Sequence, residues 1–503
     1  MGAAGAKQEG VRVGMVVAAC LVIWAGLVAL FAFNSGYGFD QLEYLLVGRS
    51  LAEGWPLYTW YTSKSFGIYV LVALLHLLGI RFGHWSLAVV ISAVSVAIVG
   101  LSFRAVRRFE SVATASAAAG LIGLCTIFME LNFLQTEGFV FLAGLAAFAI
   151  VLGTKPRSLP ARLFLAALAV GVGFHFKAVA VLYLGGILVF AVWLRPNRSD
   201  RVALVPAIAA LGTGFAAAAV PAFLYFGLTG RAGPFLRWTV TFPLLDYPAN
   251  TLYLTKLLTK LSVFHLVITC AVALLILDKP TRSEVWGNDV ARLAALMGLS
   301  SLVQVLKTQA SHYCFPGFAF LMISAAVVFV SAFQDRHVPR LIRVGGLALA
   351  LLTATGSALA YRPAVLQRFL SVRDYSAETE LAHFLQAAVP PGKAMFGFRQ
   401  GTYLCWLAHR YPPPPFLDTA QITSWYLRNR PDVVFRALRD PQLALVGMDG
   451  RGPSVTLFDD PGFGGEQGDL RAIEKINQRL EEDFEPAATV SHGFTFWRRR
   501  GSP

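Results

Sequence analysis

Charge is what this sequence has least of. Only 14% of its 503 residues are charged and 56% are hydrophobic, whereas a soluble domain usually carries about 25% charged residues. Acidic residues are the scarcer kind, with 29 Asp and Glu against 43 Lys and Arg. So little charge does not cover the surface of a soluble protein of this length, and the composition therefore predicts a polytopic membrane protein.

Cysteine is also scarce, and its positions follow no metal-binding or disulfide pattern. Cys20, Cys125, Cys270 and Cys314 lie in or beside apolar segments, and Cys405 lies in the polar C-terminal region. Disulfide-rich domains and zinc sites place their cysteines at short, regular spacings, and the sequence has none of these. A disulfide scaffold and a cysteine-based metal centre are therefore excluded.

The net charge of +14 raises the question of a nucleic-acid partner. Membrane proteins, however, concentrate Lys and Arg in their cytoplasmic loops. We therefore divide the chain into apolar runs that are long enough to cross a bilayer, and predict a mainly α protein of about eleven transmembrane helices. The predicted spans are residues 13–33, 85–103, 112–129, 138–153, 161–174, 178–194, 202–228, 255–277, 290–306, 314–333 and 341–360.

The basic residues support this threading. The first apolar run is too long for a signal-peptide core and has no small-residue cleavage site after it, so we expect it to remain as an anchor. With the N-terminus in the cytoplasm, every basic turn falls on the cytoplasmic side, as the positive-inside rule requires. These turns contain Arg104, Arg107, Arg108, Lys155, Arg157, Arg162, Arg195, Arg198, Arg201, Lys279, Arg282, Arg292, Arg336, Arg340 and Arg343. We therefore expect an inner (plasma) membrane protein surrounded by lipids, with no nucleic-acid partner.

One apolar segment, residues 65–79, does not fit a chain whose successive spans cross the membrane in alternating directions. If it crossed the membrane, every later loop would change sides and the Arg-rich turns would face outward. We therefore interpret it as an interfacial or re-entrant helix within a first outer loop of residues 34–84.

The composition changes after the last span. From about residue 362 the chain is polar, with turn signals at "PPGK" and "YPPPP" and short apolar runs such as "AMFGF" and "SVTLFD". A region of about 140 residues is large enough to bury a core of its own. The sequence therefore predicts a transmembrane domain over residues 1–361 and a small extracytoplasmic α/β domain over residues 362–503.

The outer loops collect ionisable residues, which are costly at a membrane unless they are paired or face a polar cavity. Asp40 and Glu43 stand first among them. Asp40 is a candidate general base that takes a proton from an acceptor hydroxyl group. The same Asp-x-x-Glu spacing also fits a capping box, in which Asp40 caps the helix and Glu43 reaches back to its start.

Lys64 and Glu137 have two interpretations each. Lys64 either extends to the lipid headgroups or holds a phosphate at the membrane surface beside a helix N-terminus. Glu137, with Thr136 as a candidate cap, is favoured in a first turn by the helix dipole. It is equally a candidate for orienting a substrate.

Two helix junctions on the outer side contribute further candidates. His175 and Lys177 interrupt the apolar sequence in "GFHFKAVAV", a break that is tolerated where the backbone lines protein or a wet cavity. Lys307 and His312, in "KTQASHYCFP", are either surface residues or part of a site. Outer-loop aromatic residues are open to the same question, because they either anchor the protein at the interface or stack on sugars; they are Trp55, Trp60, Tyr61 and Trp238.

The stretch "FDQLEYLLVGRSLAEGWPLYTWYTSKSFGIYVLVALLHLLG" resembles the first outer loop of GT-C membrane glycosyltransferases, the bacterial relatives of protein O-mannosyltransferases and of the lipid A aminoarabinose transferase. That loop carries an acidic pair, then "Y…AR.L..G..pY", then "KpPl". The matching residues are Asp40, Glu43, Tyr44, Arg49, Leu51, Gly54, Tyr58, Lys64 and Gly79. Here "KSFG" stands in place of "KPPL". The regions around Glu137, Lys177 and "HYCFP", and the tail from "ELAHFLQ", also resemble the family.

The resemblance implies an enzyme that uses a polyprenyl-phosphate sugar as donor and transfers the sugar with inversion at the outer surface. It implies Asp40 as base, with Glu43 as its partner or as a ligand of the acceptor. It also implies Lys64, Lys177 and Arg49 on the donor phosphate, which as a leaving group needs cationic stabilisation more than a proton donor. Glu137, His175, His312 and Lys307 are implied as substrate or metal candidates, with a divalent cation as an optional cofactor. The implied acceptor is a glycan, a lipid or a protein.

Two alternatives remain at the level of sequence. A transporter or flippase would line a substrate path with charges, but such proteins commonly show paired repeats and charges near mid-bilayer, which this sequence does not. A non-catalytic sugar-binding scaffold is the other alternative. The small outer domain favours transfer of a single sugar over transfer of a whole oligosaccharide.

Overall fold

The computed structural model describes residues 3–60, 62, 64–129, 131, 133–153, 158–195, 201–246, 262–306, 311–334, 372–398, 401–415, 417, 431–449, 475–476, 478–490 and 494–501. The described chain is mainly helical. Its first helices are α1 (Ala3–Ser35), α2 (Phe39–Ala52), α3 (Gly67–Leu77), α4 (His84–Arg107), α5 (Val112–Phe128), α6 (Thr136–Leu152), α7 (Leu159–Phe174), α8 (Leu182–Val189), α9 (Leu204–Leu228) and α10 (Ala232–Leu236). Single-turn 3₁₀ and π segments cover Ala178–Val181 and Phe190–Leu194, and a longer π segment covers Arg237–Asp246.

The second half of the chain continues with helices and then a sheet. The helices are α11 (Ser262–Leu277), α12 (Lys279–Gly287), α13 (Asp289–Leu302), a 3₁₀ turn (Val303–Leu306), α14 (Ser311–Gln334), α15 (Ser376–Ala388), α16 (Gly401–Ala408) and α17 (Pro431–Arg439). The strands are β1 (Ala394–Phe398), β2 (Leu443–Asp449), β3 (Phe484–Val490) and β4 (Phe494–Arg499).

The predicted spans coincide with helical segments throughout the described chain. Four helices are long and apolar enough to cross a membrane by length and composition, namely Gly14–Ser35, His84–Arg107, Leu204–Leu228 and His312–Phe333. Most of the other predicted spans fall on shorter apolar helices of the described chain. The span 290–306 falls on α13 and the 3₁₀ turn that follows it, whereas residues 255–261 and 341–360 lie outside the described residues. The number of spans therefore remains a prediction.

Helix α12 lies in the basic turn between the predicted spans 255–277 and 290–306, where the hydropathy pattern predicts no helix. It begins where the carboxylate of Asp278 accepts a hydrogen bond from the backbone N–H of Thr281 at 3.2 Å. Helix α13 follows at once, because Asn288 caps it by accepting from the N–H of Ala291 at 3.0 Å. Asp and Asn are strong N-cap residues, so Asp278 and Asn288 indicate two helix starts that hydropathy alone does not predict.

The chain forms two compact units. The first contains Met1–Gly36, Gly83–Leu224 and Thr251–Val372, and the second contains Tyr37–Phe82, Tyr225–Asn250 and Arg373–Pro503. The second unit thus combines the first outer loop with the polar tail. The predicted domain boundary at residues 361 and 362 lies outside the described residues and stays a prediction.

The core of the first unit is aromatic. The ring of Phe320 in α14 meets the rings of Phe141, Phe148 and Tyr183 at centroid distances of 5.1, 5.9 and 5.3 Å. Gly144 makes this packing feasible, since a Cβ at that position would come within 2.6 Å of the Tyr183 ring. Helices α6, α8 and α14 are therefore joined by interlocking rings, an arrangement that favours a unique packing.

The tail of the second unit is an α/β structure. Its four-stranded sheet has the order β1-β2-β4-β3, in which β1 and β2 run parallel and the other pairs are antiparallel. Strand β1 is the predicted run "AMFGF", whereas the run "SVTLFD" lies outside the described residues. The parallel pair requires a crossover connection, part of which is formed by α16 and α17.

Helix α3 contains only 11 residues, which corresponds to a rise of about 16 Å. The hydrocarbon core of a bilayer is about 30 Å thick. The short length of α3 is consistent with the interfacial position predicted for residues 65–79, which stays a prediction.

We expect both ends of α3 to lie on one side of the membrane. Single cysteines introduced at Pro56 and Arg81, in a chain whose native cysteines are replaced by Ala, should react with a membrane-impermeant maleimide added from the same side. Reaction of the two positions from opposite sides would contradict a non-spanning α3 and would reverse the orientation of every later loop.

Candidate active site

The start of α2 differs from the capping box that the sequence suggested. Helix α2 begins at Phe39 with Gly38 as its N-cap, and the N–H of Gly38 donates to Oε1 of Gln41 at 3.0 Å. The capping-box interpretation of Asp40 and Glu43 is therefore wrong. The helix starts too early for it, so that Gln41 reaches back and Asp40 is already the second helical residue.

Asp40 forms an ion pair with Lys64. Lys64 Nζ donates to Asp40 Oδ2 at 2.8 Å, and the two side chains are 9% and 17% exposed. Lys64 lies three residues before α3 begins at Gly67. Its ammonium is therefore directed to a carboxylate of the first outer loop, which argues against simple extension to the headgroups.

Glu43 lies one turn further along α2 and is completely buried. Its Oε1 accepts a hydrogen bond from the hydroxyl of Tyr69 in α3. Burial, followed by the adjacent carboxylate, raises the pKa of Tyr69 well above its usual value, so the phenol remains protonated and donates. Tyr69 was not among the predicted residues, because a tyrosine in the apolar run "IYVLV" carries no signal of its partner.

Arg49 contacts the tail. Its Nε donates to the hydroxyl of Tyr411 at 3.0 Å and its Nη1 donates to Nδ1 of His409 at 3.1 Å. The guanidinium carbon lies 4.8 Å from the ring centroid of Tyr411 and 5.2 Å from that of Trp406, within the range of cation–π attraction. The Tyr411 hydroxyl in turn donates to Glu53 at 2.7 Å. Arg49 therefore links α2 to the tail, a contact that sequence reasoning missed because its partners are about 360 residues away.

A guanidinium only donates hydrogen bonds, so Nδ1 of His409 must be the acceptor and carry no proton. Burial first, and then the charges of Arg49 and Arg410, lower the pKa of His409, whereas Glu53 acts in the opposite direction. Protonation of His409 would thus break the hydrogen bond and place two cations side by side.

The outer-loop aromatic residues differ in exposure. Trp60 and Trp238 are each 2% exposed, and Trp60 Nε1 donates to the carbonyl of Pro412 at 3.1 Å, so both belong to the protein interior. Trp55 is 39% exposed, and Tyr61 lies outside the described residues. Among these residues of the described chain, only Trp55 is exposed enough to anchor the protein at the interface or to stack on a sugar.

The first unit contains a second ion pair. Lys177 Nζ is bonded to Oε1 of Glu137, and the carboxylate is 1% exposed. The same ammonium lies 3.2 Å from the ring centroid of Tyr313. The predicted cap of α6, Thr136, is not the cap, since Gln135 holds that position. The Thr136 hydroxyl instead donates to Oε2 of Glu137 at 3.2 Å. Tyr313 belongs to the "HYCFP" motif, but its contact with Lys177 was not predicted.

The predicted break in the chain at His175 and Lys177 is present. Helix α7 ends at Phe174, His175 is its C-cap, and Lys177 has an extended backbone before the 3₁₀ turn Ala178–Val181. His175 Nε2 donates to the carbonyl of Ala218 at 2.9 Å.

Of the remaining candidates, His312 opens α14 with its ring against Tyr313 at 4.4 Å. Lys307 lies outside the described residues.

The structure does not support the divalent cation that the resemblance allowed. Asp40 and Glu137 are carboxylates of the kind that would supply oxygen ligands, and each is paired with a lysine. Within the described ranges no group of three or more His, Cys, Asp or Glu side chains is arranged to hold a metal ion. Each of the two carboxylates instead has a lysine partner, so we derive no step through a metal.

The helical architecture and the small sheet are shared with solved structures of membrane transferases, so the fold implied by the first-loop resemblance is confirmed. The described chain is similar to ArnT from Cupriavidus metallidurans bound to undecaprenyl phosphate, with a TM-score of 0.62 and 15% identity over 97% of this chain and 98% of that one. Its apo state gives a TM-score of 0.63 and 14% identity at the same coverage. ArnT is the lipid A aminoarabinose transferase.

Another similar structure is the oligosaccharyltransferase AglB from Archaeoglobus fulgidus in complex with an inhibitory peptide and a dolichol-phosphate. It has a TM-score of 0.55 and 11% identity over 97% of this chain and 75% of that one. At these identities the likeness shows the fold. Together with the apolar helices, it identifies the chain as an integral membrane protein.

No protein-family model matches the sequence, and no curated protein matches it at a significant level.

We expect the Glu137–Lys177 pair to be strongly coupled. Lys177→Met leaves a carboxylate with 1% exposure facing no ammonium, and breaking a buried ion pair in this way typically destabilises by about 3–5 kcal/mol. The variant should therefore unfold at a clearly lower temperature in detergent, and adding Glu137→Gln should recover much of the loss. Additive losses in the double variant would contradict the coupling.

We expect the contact between Arg49 and the tail to weaken on acidification. Because the pKa of His409 is lowered in the folded state, the unfolded chain takes up this proton first. The stabilisation is fully present above the ordinary histidine value of about 6.5 and declines as the pH falls below it. Asn is the matched variant, since it does not titrate, has an acceptor oxygen, and tolerates the φ of +54° at this position.

The measurement is the unfolding temperature at about pH 7.5 and about pH 5.5, on either side of the ordinary histidine value. His409→Asn should lose less stability than the wild type between these two conditions. An equal loss in the two proteins would mean that His409 does not contribute.

Proposed function

We propose that the protein is a membrane glycosyltransferase that moves a single sugar from a polyprenyl-phosphate donor to an acceptor hydroxyl on the extracytoplasmic face. Its fold is shared with transferases that were solved with undecaprenyl phosphate and with dolichol-phosphate. The observation that carries the proposal is the Asp40–Lys64 pair, in which a base and a phosphate-binding cation lie 2.8 Å apart in the loop that carries the sequence resemblance.

The proposed reaction needs few protein groups. The acceptor oxygen attacks C1 of the donor sugar and the bond between C1 and the phosphate oxygen breaks, with its electron pair remaining on polyprenyl phosphate. The acceptor proton passes to the Asp40 carboxylate. Attack opposite the leaving phosphate inverts the configuration at C1. The products are the glycosylated acceptor and polyprenyl phosphate, whose charge Lys64 stabilises.

Lys64 suits the phosphate better than the other predicted cations. An ammonium has three donors, so Lys64 can contact Asp40 and a phosphate oxygen together. Arg49 directs two of its nitrogens to Tyr411 and His409, and Lys177 lies between a carboxylate and an aromatic ring. We therefore place the donor phosphate at Lys64. We assign Arg49 to linking α2 to the tail and Lys177 to the buried pair with Glu137.

The orientation is part of the proposal. We infer that the N-terminus is cytoplasmic, that the tail is extracytoplasmic in the inner (plasma) membrane, and that the acceptor is a glycan, a lipid or a protein that presents a hydroxyl there. The support is the positive-inside distribution of Arg and Lys and the placement of Asp40 and Lys64 in the same compact unit as the tail.

The experiment is transfer of radiolabelled sugar from a panel of polyprenyl-phosphate monosaccharides in membranes that contain wild type, Asp40→Asn or Glu380→Gln. Loss of a general base lowers the rate by about 10²–10⁴-fold, so Asp40→Asn should spare the donor that wild type consumes. Glu380→Gln is the matched control because Glu380 is an exposed carboxylate of the tail. Gel filtration checks that all three proteins are folded.

Equal consumption by wild type and Asp40→Asn would exclude Asp40 as the base. If no donor is consumed but a labelled lipid-linked sugar changes leaflet, the protein is a flippase and not a transferase.

A further inference from the structure

Helices α2 and α3 are in unusually close contact. A Cβ at Gly48 of α2 would come within 2.5 Å of the Val72 side chain and 3.2 Å of the Tyr69 carbonyl oxygen in α3. Only a glycine permits this approach without a shift of one helix. Val72 is completely buried and Tyr69 is 1% exposed, so the interface is dry.

A directional hydrogen bond lies within this interface. The Tyr69 hydroxyl donates to the fully buried carboxylate of Glu43, and the Tyr44 ring packs edge-on against Tyr69 at 6.2 Å. Hydrogen bonds to charged groups in a low-dielectric interior are stronger than neutral ones and restrict geometry. The bond therefore fixes both the rotation and the register of α3 on α2.

The Asp40–Lys64 pair is built on the same two elements. Asp40 precedes Glu43 by three residues, so the two lie on neighbouring positions of one helix face. Lys64 stands five residues before Tyr69, where the chain enters α3. A change in how α3 sits on α2 would therefore alter the separation of the Asp40 and Lys64 side chains directly.

We propose that Glu43 and Tyr69 are positioning residues that hold Asp40 and Lys64 in register for the transfer reaction. Glu43 is then not itself a proton carrier or a ligand of the acceptor. The inference rests on the proposed function for Asp40 and Lys64, and it assigns to Glu43 a different role from the one that the acidic pair in the sequence implied.

The two roles of Glu43 predict opposite results in a pair of conservative variants. Glu43→Gln retains an oxygen that accepts from Tyr69, so a positioning role predicts that transfer is largely preserved and that the pH profile of kcat is unchanged. Tyr69→Phe retains the ring but removes the donor, and kcat/KM should fall about tenfold to a hundredfold, since small misplacements of reacting groups cost this much. A catalytic carboxylate predicts that Glu43→Gln is inactive or loses one limb of the pH profile.

A second readout does not depend on activity. The Lys64 ammonium is paired and only 9% exposed, so it should react slowly with an amine-directed reagent, as followed by mass spectrometry with the exposed Lys393 as internal reference. Tyr69→Phe should raise the relative labelling of Lys64 several-fold, and Glu43→Gln should not. Gly48→Ala, which separates the helices by steric conflict, should raise it in the same way.

Controls separate folding from positioning. Tyr225→Phe removes a hydroxyl from a half-exposed tyrosine of α9 (54% exposed) and should match wild type in both assays. Rates are expressed per folded protein after gel filtration. If folded Tyr69→Phe matches wild type in transfer and in Lys64 labelling, or if Glu43→Gln is inactive while Tyr69→Phe is active, the inference is overturned.

Failure of the inference is distinguishable from failure of the proposed function. If Asp40→Asn transfers sugar like the wild type, the proposed function is wrong whatever Glu43 does. If Asp40→Asn is inactive and Tyr69→Phe is not, the function stands and only the positioning role is lost.

Discussion

A charged side chain withdrawn from water must find its counter-charge within the protein, because an isolated ion in a medium of low dielectric constant is very unfavourable. In a chain with so few charges, this constraint governs how the polar residues are arranged. The Asp40–Lys64 and Glu137–Lys177 pairs each join the first turn of a helix to a lysine that lies just before another helical segment. Each pair therefore connects two segments that sequence separation alone would leave independent.

Tyrosines contact several of the charged side chains. Tyr69 donates to Glu43, Tyr411 accepts from Arg49 and donates to Glu53, and the ring of Tyr313 faces Lys177. A tyrosine is suited to this work because it fills apolar space with its ring and offers one polar atom at its end. Each of these contacts gives a charged side chain a partner within its own compact unit.

The fold is shared with transferases at 11–15% sequence identity. Such low identity is expected, because an apolar helix requires hydrophobic side chains of suitable size and not particular residues. Many combinations of hydrophobic side chains fill the same space, so the sequence of a spanning helix drifts while its packing persists. Function depends on the few residues of the site and not on the fold. The site that we propose lies in the first outer loop, where the motif consists of individual polar residues, whereas the long apolar runs around it indicate only helices in a membrane.

Hydropathy and charge determined the membrane class, the apolar helices and the α/β tail, because these are local properties of 10 to 25 residues. The first-loop pattern also selected Asp40 and Lys64. Only the tertiary structure decided which polar groups meet. At the start of α2 it is Gln41, and not Glu43, that accepts from the N-cap backbone. Glu43 accepts from Tyr69, Arg49 donates to Tyr411 of the tail, and Lys177 lies against the ring of Tyr313. Each depends on a helix start that shifted by one or two residues or on a contact between distant segments, and hydrophobic periodicity carries no information about which polar atoms meet.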